Sequence, residues 1–286
     1  MVRGLFTGAS GMRAQQWRLD AVANNLANVA TDGFKRDVTT FKAFPEMLLR
    51  RMEDDGVFLH PFGSGDAAPV VGRLGTGVEL NELFTDFSQG APRETLSDFD
   101  LMLEGRGFFA VSTPHGERFT RNGSFVRGRE GFLVTRDGFP VLGENGFIHV
   151  QENNFRIDVE GRVWVNAAYH DDPYDPYRMV RREANQWEDT VLLDTLRIVD
   201  FELDRFLEKQ GTSLHRDSFT SGPPILLTGA DRPRVLQGFL EASNVDPVFE
   251  MVQMIEVNRA YEANQRVIQA EEQTLGTLIN QVARFG

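Results

Sequence analysis

The stretch Ala21-Val22-Ala23-Asn24-Asn25-Leu26-Ala27-Asn28-Val29-Ala30, continuing into Thr31-Asp32-Gly33-Phe34-Lys35, decides how the rest of the chain must be built. It closes an N-terminal segment in which Leu5, Met12, Leu19 and Leu26 recur every seven residues, one apolar stripe on a helix. No charge falls between Asp20 and Asp32, and three polar positions there are Asn, a poor helix former. At 100° per residue, Asn24, Asn28 and Thr31 share a face roughly opposite Leu19 and Leu26. The spacing predicts a helix over residues 3–31 with both faces occupied. The leucines would meet a helix of the same chain, and the face of Asn24, Asn28 and Thr31 a neighbouring molecule. The alternative is a solvated face whose Asn residues drift toward a helix end, where they act as caps.

A helix of about 29 residues is on the order of 40 Å long. Gly4, Gly8 and Gly11 weaken it, each by about 1 kcal/mol against Ala. Its first turns are therefore expected to fray in an isolated molecule. Gly33 stands where a residue closing the helix belongs.

The last segment is the counterpart of the first. Asn244 to Pro247 supply cap and first-turn chemistry, and Met254, Tyr261, Ile268, Leu275 and Val282 then repeat every seven residues. Residues 247–284 predict about 57 Å of helix. The remaining seam is mixed, Val257 and Leu278 alternating with Asn264 and Glu271, so this helix is not an autonomous zipper. Packing one terminal helix on the other buries both stripes.

Between them the texture is different. Residues 41–77 are irregular and rich in Gly and Pro, with a short helix expected around Phe44 to Arg51 and a solvated charge patch at Arg50, Arg51, Asp54 and Asp55. From about Val78 to Val165, short apolar runs alternate with Asn122-Gly123, Asp137-Gly138 and single glycines, which predicts hairpins in an antiparallel meander. Residues 166–192, with Asp171-Asp172-Pro173-Tyr174-Asp175, read as a polar surface insertion, and strand texture returns at Leu196–Phe201 and Val235–Leu240. The fold class is therefore α+β. Residues 1–35 and 243–286 form terminal helices paired as a coiled coil, 36–94 an extended connector, and 95–242 a β-rich domain closing into a sandwich or small barrel.

The bulk numbers narrow the function. A net charge of -12 over 286 residues gives a phosphate-binding surface little support, so nucleic acid is not expected as a partner. No run approaches the 18 or so apolar residues of a membrane span, and the start has no apolar core of signal-peptide length, so membrane insertion and a cleaved signal are not expected. With no cysteine, disulfides, thiol catalysis and Cys-ligated zinc are excluded together. Basic residues are lopsided, 27 Arg to 3 Lys.

Catalytic patterns do not hold up. Gly105-Arg106-Gly107-Phe108-Phe109-Ala110 fits G-x-G-x-x-A, but β texture continues through it where a nucleotide site needs a helix. His60, His115, His149, His170 and His215 are scattered, and Asp171, Asp172 and Asp175 lack the spacing of a calcium loop. Asn122-Gly123-Ser124 matches a glycosylation acceptor but is already accounted for as a hairpin turn. No enzyme, cofactor or metal is expected.

The residues do carry a resemblance. Ala23-Asn24-Asn25-Leu26-Ala27-Asn28 with Thr31, Gly33, Phe34 and Lys35 resembles the N-terminal signature of the bacterial flagellar rod and hook proteins. Leu240-Glu241-Ala242-Ser243-Asn244-Val245-Asp246, Glu250-Met251-Val252, Met254-Ile255 and Arg259-Ala260-Tyr261-Glu262-Ala263-Asn264 are similar to their C-terminal signature. Asp86-Phe87-Ser88-Gln89-Gly90, Gly105–Phe109, Thr120–Phe125 and Asp137–Gly143 resemble their β domain. The chain departs from the family at Thr95-Leu96-Ser97-Asp98, where a Thr-Gly-Asn-Pro pattern is usual, and at Asn258, where Gln is usual.

The resemblance implies a structural subunit of the basal-body rod, polymerising into a drive shaft between motor and hook, with a hook-type axial protein as the alternative. It implies export by the flagellar type III apparatus, a place in the periplasmic rod, and as partners itself, other rod and hook axial proteins, and surrounding ring or bushing proteins. The assembly interface expected on this basis is Leu5, Met12, Leu19, Asn24, Asn25, Leu26, Asn28, Thr31, Met254, Tyr261, Ile268, Leu275 and Val282. A carbohydrate-binding or cell-wall-hydrolytic module on a helical stalk is the reading from another class, and no paired carboxylates support it.

Overall fold

The structure, a computed structural model, describes residues 2–50, 57–60, 63–66, 70–150, 154–166, 190–211 and 213–282. The Asp171, Asp172 and Asp175 acids and His170 of the expected insertion lie outside the described residues, as do Arg51, Asp54 and Asp55. The chain divides into two compact units, Met1–Asn24 with Val38–Leu83 and Val248–Gly286, and Asn25–Asp37 with Phe84–Pro247.

Two helices dominate the first unit, α1 (Val2–Ala27) and α2 (Pro247–Val282). α2 opens on Pro247, whose missing N–H costs nothing in a first turn. α1 ends four residues before the expected Thr31. The chain leaves it in tight turns, Asn28 N–H donating to Asn25 O at 3.1 Å and Thr31 N–H to Asn28 O at 3.1 Å. The Asn run that sequence periodicity carried into the helix thus forms its exit.

The three glycines read as weaknesses are where α2 meets α1. A methyl group at Gly8 would lie 2.9 Å from Ile268 Cγ1, and at Gly4 and Gly11 it would lie 2.5 and 2.9 Å from the Glu271 carboxylate and the Asn264 amide. The lost helix propensity is repaid by backbone proximity. Farther along, Arg18 donates to Gln253 Oε1. Gly8, Ala14, Val22 and Asn25 are the buried positions of α1, while Leu5, Met12, Leu19 and Leu26 flank them half-buried. On α2 the inward face carries Glu250, Val257, Asn264, Ile268, Glu271 and Leu275. The contact is a ridge of small residues under a mixed seam.

Among the described residues, the same unit holds four strands and parts of two more. β1 (Arg36–Ala43) pairs with β6 (Val78–Asp86), β2 (Met47–Arg50) with β5 (Val70–Leu74), and β3 (Val57–His60) with β4 (Gly63–Asp66). The helix expected around Phe44 to Arg51 is therefore corrected to strand over Met47–Arg50. The three-residue apolar run Met47-Leu48-Leu49 is too short to sustain a helix, and β5 supplies its hydrogen bonds.

In the second unit the centre is a six-stranded antiparallel sheet. β9 (Phe108–Thr113) lies between β10 (Gly116–Thr120) and β16 (Ile198–Asp200), and the order β17-β18-β10-β9-β16-β19 is completed by β17 (Glu208–Gln210), β18 (Leu214–Arg216) and β19 (Ile225–Leu226). Around it stand β7 (Pro92–Glu94) paired with β21 (Phe239–Glu241), β8 (Leu101–Glu104) paired with β20 (Arg234–Gln237), β11 (Phe125–Arg127) paired with β12 (Leu133–Thr135), and the three-stranded sheet of β13 (Phe155–Ile157), β14 (Arg162–Asn166) and β15 (Thr190–Thr195). Among the described residues no barrel closes; the central sheet keeps two edges, β17 and β19.

Period-2 alternation makes β9 the spine of the core. Phe109 and Val111 point into a cluster with Leu101, Leu103, Leu133, Val163, Leu196 and Ile198. Phe108 and Ala110 point the other way, to Phe119, Val199, Phe201 and Leu207. A strand buried on both faces reads as a continuous apolar run, as Phe108-Phe109-Ala110-Val111 does.

One turn expectation holds and one is corrected. Gly138, at φ 87°, closes a turn on Thr135 O at 2.9 Å. Asn122-Gly123 joins β10 to β11, which do not pair, and so is not a hairpin. Its glycine serves a close crossing: a methyl there would lie 1.6 Å from Leu101 O, and Leu101 N–H donates to Gly123 O at 3.0 Å. The G-x-G-x-x-A stretch runs into strand β9 rather than a helix, so the nucleotide fingerprint lacks its required context.

Candidate functional site

The motifs singled out from sequence converge in the second unit, on the Phe108 side of the central sheet. Glu241, at the end of β21, is the hub. Its Oε1 accepts from the Lys35 ammonium at 2.5 Å and from Gly90 N–H at 2.8 Å, and the Arg121 guanidinium stands 3.5 Å from its Oε2. The side chains of Lys35 and Glu241 are 0% and 1% exposed. Lys35 also donates to Ser88 O at 2.7 Å, and Arg121 to Gly105 O at 2.7 Å. Three separate segments of the chain are thereby tied to one carboxylate.

Each motif residue has a local reason to be there. Gly33, at φ 68°, donates its N–H to Glu241 O at 2.7 Å, and a methyl on it would strike the Arg121–Asn122 backbone at 2.5–2.6 Å. Gly90 passes so close that a methyl would lie 1.9 Å from Ala242 O. Gln89 bridges Leu103 O and Gly105 N–H, both at 3.1 Å. Asn244 accepts from Arg36 N–H at 2.9 Å and donates to Asp86 O at 2.8 Å. Phe87 lies edge-on to Phe108 and to His215, with ring centroids 5.2 and 5.0 Å apart.

A second ion pair extends the cluster. Lys209 donates to Asp37 Oδ2 at 3.0 Å and to Lys35 O at 3.1 Å, with its ammonium 3.9 Å from the Phe34 ring centre. Asp37 in turn accepts from Thr85 Oγ1 at 2.9 Å, and its backbone exchanges two bonds with the Asn25 amide, both 2.9 Å. Burial pulls the Lys35 and Lys209 ammonium groups below their usual range, and Glu241 and Asp37 oppose the shift. Burial also lowers Arg121, again against Glu241. His215 is held down to about 3 by burial, reinforced by Lys209, Lys35 and Arg121, so its imidazole is neutral at pH 7. The arrangement anchors chain segments; it presents no exposed nucleophile or acid–base pair. Among the described residues, no three His, Asp or Glu side chains are grouped to hold a metal.

This convergence matches a known set of domains. Residues 5–35 match the model described as flagella basal body rod protein, 102–165 the flagellar hook protein FlgE/F/G D1 domain, and 236–281 the flagellar basal body rod FlgEFG protein C-terminal. The chain is 32% identical to the flagellar basal-body rod protein FlgG of Buchnera aphidicola subsp. Acyrthosiphon pisum, over 97% of this chain and 99% of that one. The chain belongs to the flagellar basal-body rod protein family. The rod protein FlgG of Bacillus subtilis is 31% identical over 98% of this chain and 99% of its own, and the rod protein FlgF of Caulobacter vibrioides 33% identical over 92% and 91%. This rod protein is a structural subunit of the flagellar basal body. No helix among its described residues is long and apolar enough to cross a membrane.

The expected interface residues of the rod subunit separate into groups. Asn25 is turned inward onto Asp37 and is 2% exposed. Asn28 accepts from Thr31 Oγ1 at 3.2 Å, so those two side chains serve the helix exit. Asn24 is exposed on the outer face of α1, and that face also carries Phe6 and Trp17, both exposed and both missed by a reading built on leucines. Met254, Ile268 and Leu275 are half-buried on the inward side of α2, and Tyr261 is exposed. Val282 ends α2 and its side chain lies outside the described residues. The Lys35–Glu241–Arg121 hub was not foreseen either. Its available signal was rarity, since Lys35 is one of three lysines in a chain that otherwise uses Arg.

Proposed function

We propose that the subunit polymerises into the tubular shaft that carries torque from motor to hook, with its terminal helices paired as a coiled coil in the axial core layer and residues 95–242 in the outer layer. The observation that carries this reading is the two-faced character of α2. Val248, Met251, Val252 and Ile255 are exposed within one arc of about 100°, opposite the Glu250, Val257 and Asn264 side that faces α1. An apolar stripe of that kind on a folded protomer marks a surface for a neighbour. On α1 the neighbour-facing set is Phe6, Trp17 and Asn24, with the heptad Leu5, Met12, Leu19 and Leu26 supporting the helix pair.

The partners are further copies, other rod and hook axial proteins, and the rings or bushing around the rod. The chain leaves through the flagellar type III apparatus and works in the periplasmic part of the basal body. Deletion is expected to leave cells without hooks and filaments, read by electron microscopy and motility; hooked, motile deletants would refute the proposal. Retention of the protein in basal bodies stripped of hooks separates a rod subunit from a hook-type one.

A further inference from the structure

Residues 33–36 and 241–244 lie side by side in the second unit. Gly33 N–H donates to Glu241 O at 2.7 Å, Lys35 Nζ to Glu241 Oε1 at 2.5 Å, and Arg36 N–H to Asn244 Oδ1 at 2.9 Å. From the first of these links to the last, residue number rises along both segments, so the two run parallel. A third segment, residues 86–91, ties both. Ala242 N–H donates to Ala91 O at 2.9 Å, Gly90 N–H to Glu241 Oε1 at 2.8 Å, Lys35 Nζ to Ser88 O at 2.7 Å, and Asn244 Nδ2 to Asp86 O at 2.8 Å.

The way the chain enters and leaves these segments decides what they resist. It reaches residue 33 from α1, which ends at Ala27, and leaves residue 244 into α2, which begins at Pro247. In parallel segments those are opposite ends. A force drawing α1 and α2 apart therefore slides one segment along the other and stretches the links together, whereas pulling from a common end would open them one at a time. Links loaded together must fail together. They are also sealed, the Lys35 and Glu241 side chains being 0% and 1% exposed, so water cannot take over a bond as it lengthens. The helix seam is weaker by comparison, since it rests Gly4, Gly8 and Gly11 on Glu271, Ile268 and Asn264, which are only half-buried.

We propose that this three-segment junction is a mechanical clamp, which keeps α1 and α2 of one subunit from being pulled apart when load enters through one helix and leaves through the other. The inference rests on the proposed shaft, in which neighbours engage both helices. It gives the buried ion pair a use that thermal stability does not require, because an apolar pair of similar volume would serve stability as well.

The test pulls single molecules of the full chain through thiol handles, which the absence of native cysteine makes specific. Asn24→Cys with Val248→Cys, both exposed positions, loads the clamp in shear; Lys42→Cys with Val248→Cys peels it from one end. The shear pair is expected to rupture at the higher force. Lys35→Met should speed shear rupture, extrapolated to zero force, about a hundredfold, because the lost link falls on the unfolding rate. Asn244→Ala, which keeps the ion pair and serves if Lys35→Met does not fold, should speed it about tenfold. Leu133→Ala, a cavity in the cluster on the Phe109 side of the sheet, should lower Tm about as far as Lys35→Met yet change shear rupture less than about threefold. Equal rupture forces for the two handle pairs, or equal acceleration by Leu133→Ala and by the clamp variants, would overturn the inference. Absence of the chain from basal bodies would instead refute the shaft, and with it the load on the clamp, whatever the rupture forces.

Discussion

Lys35→Met tests the hub. The substitution keeps the length and apolar stem of the side chain but removes the ammonium from Glu241 Oε1, 2.5 Å away, and from Ser88 O, 2.7 Å away. Both partners of the ion pair are essentially without solvent access, so the carboxylate cannot be rehydrated in place. Removing one member of a buried pair costs about 3–5 kcal/mol. Gly90 N–H still reaches Glu241 Oε1 and Arg121 stands 3.5 Å from Oε2, so the lower end of that range applies, about 3 kcal/mol. For a unit of this size, 1 kcal/mol moves Tm by about 2–4 °C, and a fall of about 6–12 °C is expected by near-ultraviolet circular dichroism at pH 7. Lys35→Met with Glu241→Gln should recover part of the loss, because the stranded charge is gone. A Tm within about 1 °C of wild type for Lys35→Met would refute the reasoning.

His215 predicts acid sensitivity. Its folded pKa of about 3 lies below the unfolded value near 6.5, so the unfolded chain takes up the proton first; stability is complete above about pH 6.5 and is lost as pH falls toward 3. Between pH 7 and 5 this group alone removes about 2 kcal/mol, and His215→Phe should flatten urea-melt stability over that window by that amount. Gly33→Ala, which needs a residue at φ 68° with a methyl 2.5 Å from Asn122 N, should destabilise by about 2 kcal/mol in the same melt. Gly8→Val should force Ile268 and α2 away from α1 at a cost of about 1–3 kcal/mol, seen as an earlier loss of ellipticity at 222 nm.

What was legible in the sequence was what obeys a short period or a fixed turn chemistry. The helix beginning at Pro247 has a cap, a first-turn proline and a repeat, and the structure begins it there. Strand β12 before Asp137-Gly138 and the bridged residues 140–142 after it were legible for the same reason. Less visible was anything requiring knowledge of who the neighbour is. Gly4, Gly8 and Gly11 read as faults because propensity scales score a helix alone, whereas their value lies in letting Glu271, Ile268 and Asn264 come close. Asn122-Gly123 reads as a hairpin until it is known that β8 crosses beneath it. Lys35 and Glu241 are 206 positions apart, and no local pattern joins them. The Asn run was read as a helix face because its three residues do align at 100° intervals; the turn at Asn28 wins because Asn tolerates an exit as readily as a helix end.

The scarcity of lysine gives the molecule a chemical reporter. Of its three side-chain amines, Lys42 is open to solvent, Lys209 is partly buried and Lys35 is sealed. An amine-reactive dye applied to the folded subunit would modify Lys42 first and leave Lys35 untouched. Acylation at 35 would then record how often the junction between the two end signatures and the sheet comes apart, with no label engineered into the chain.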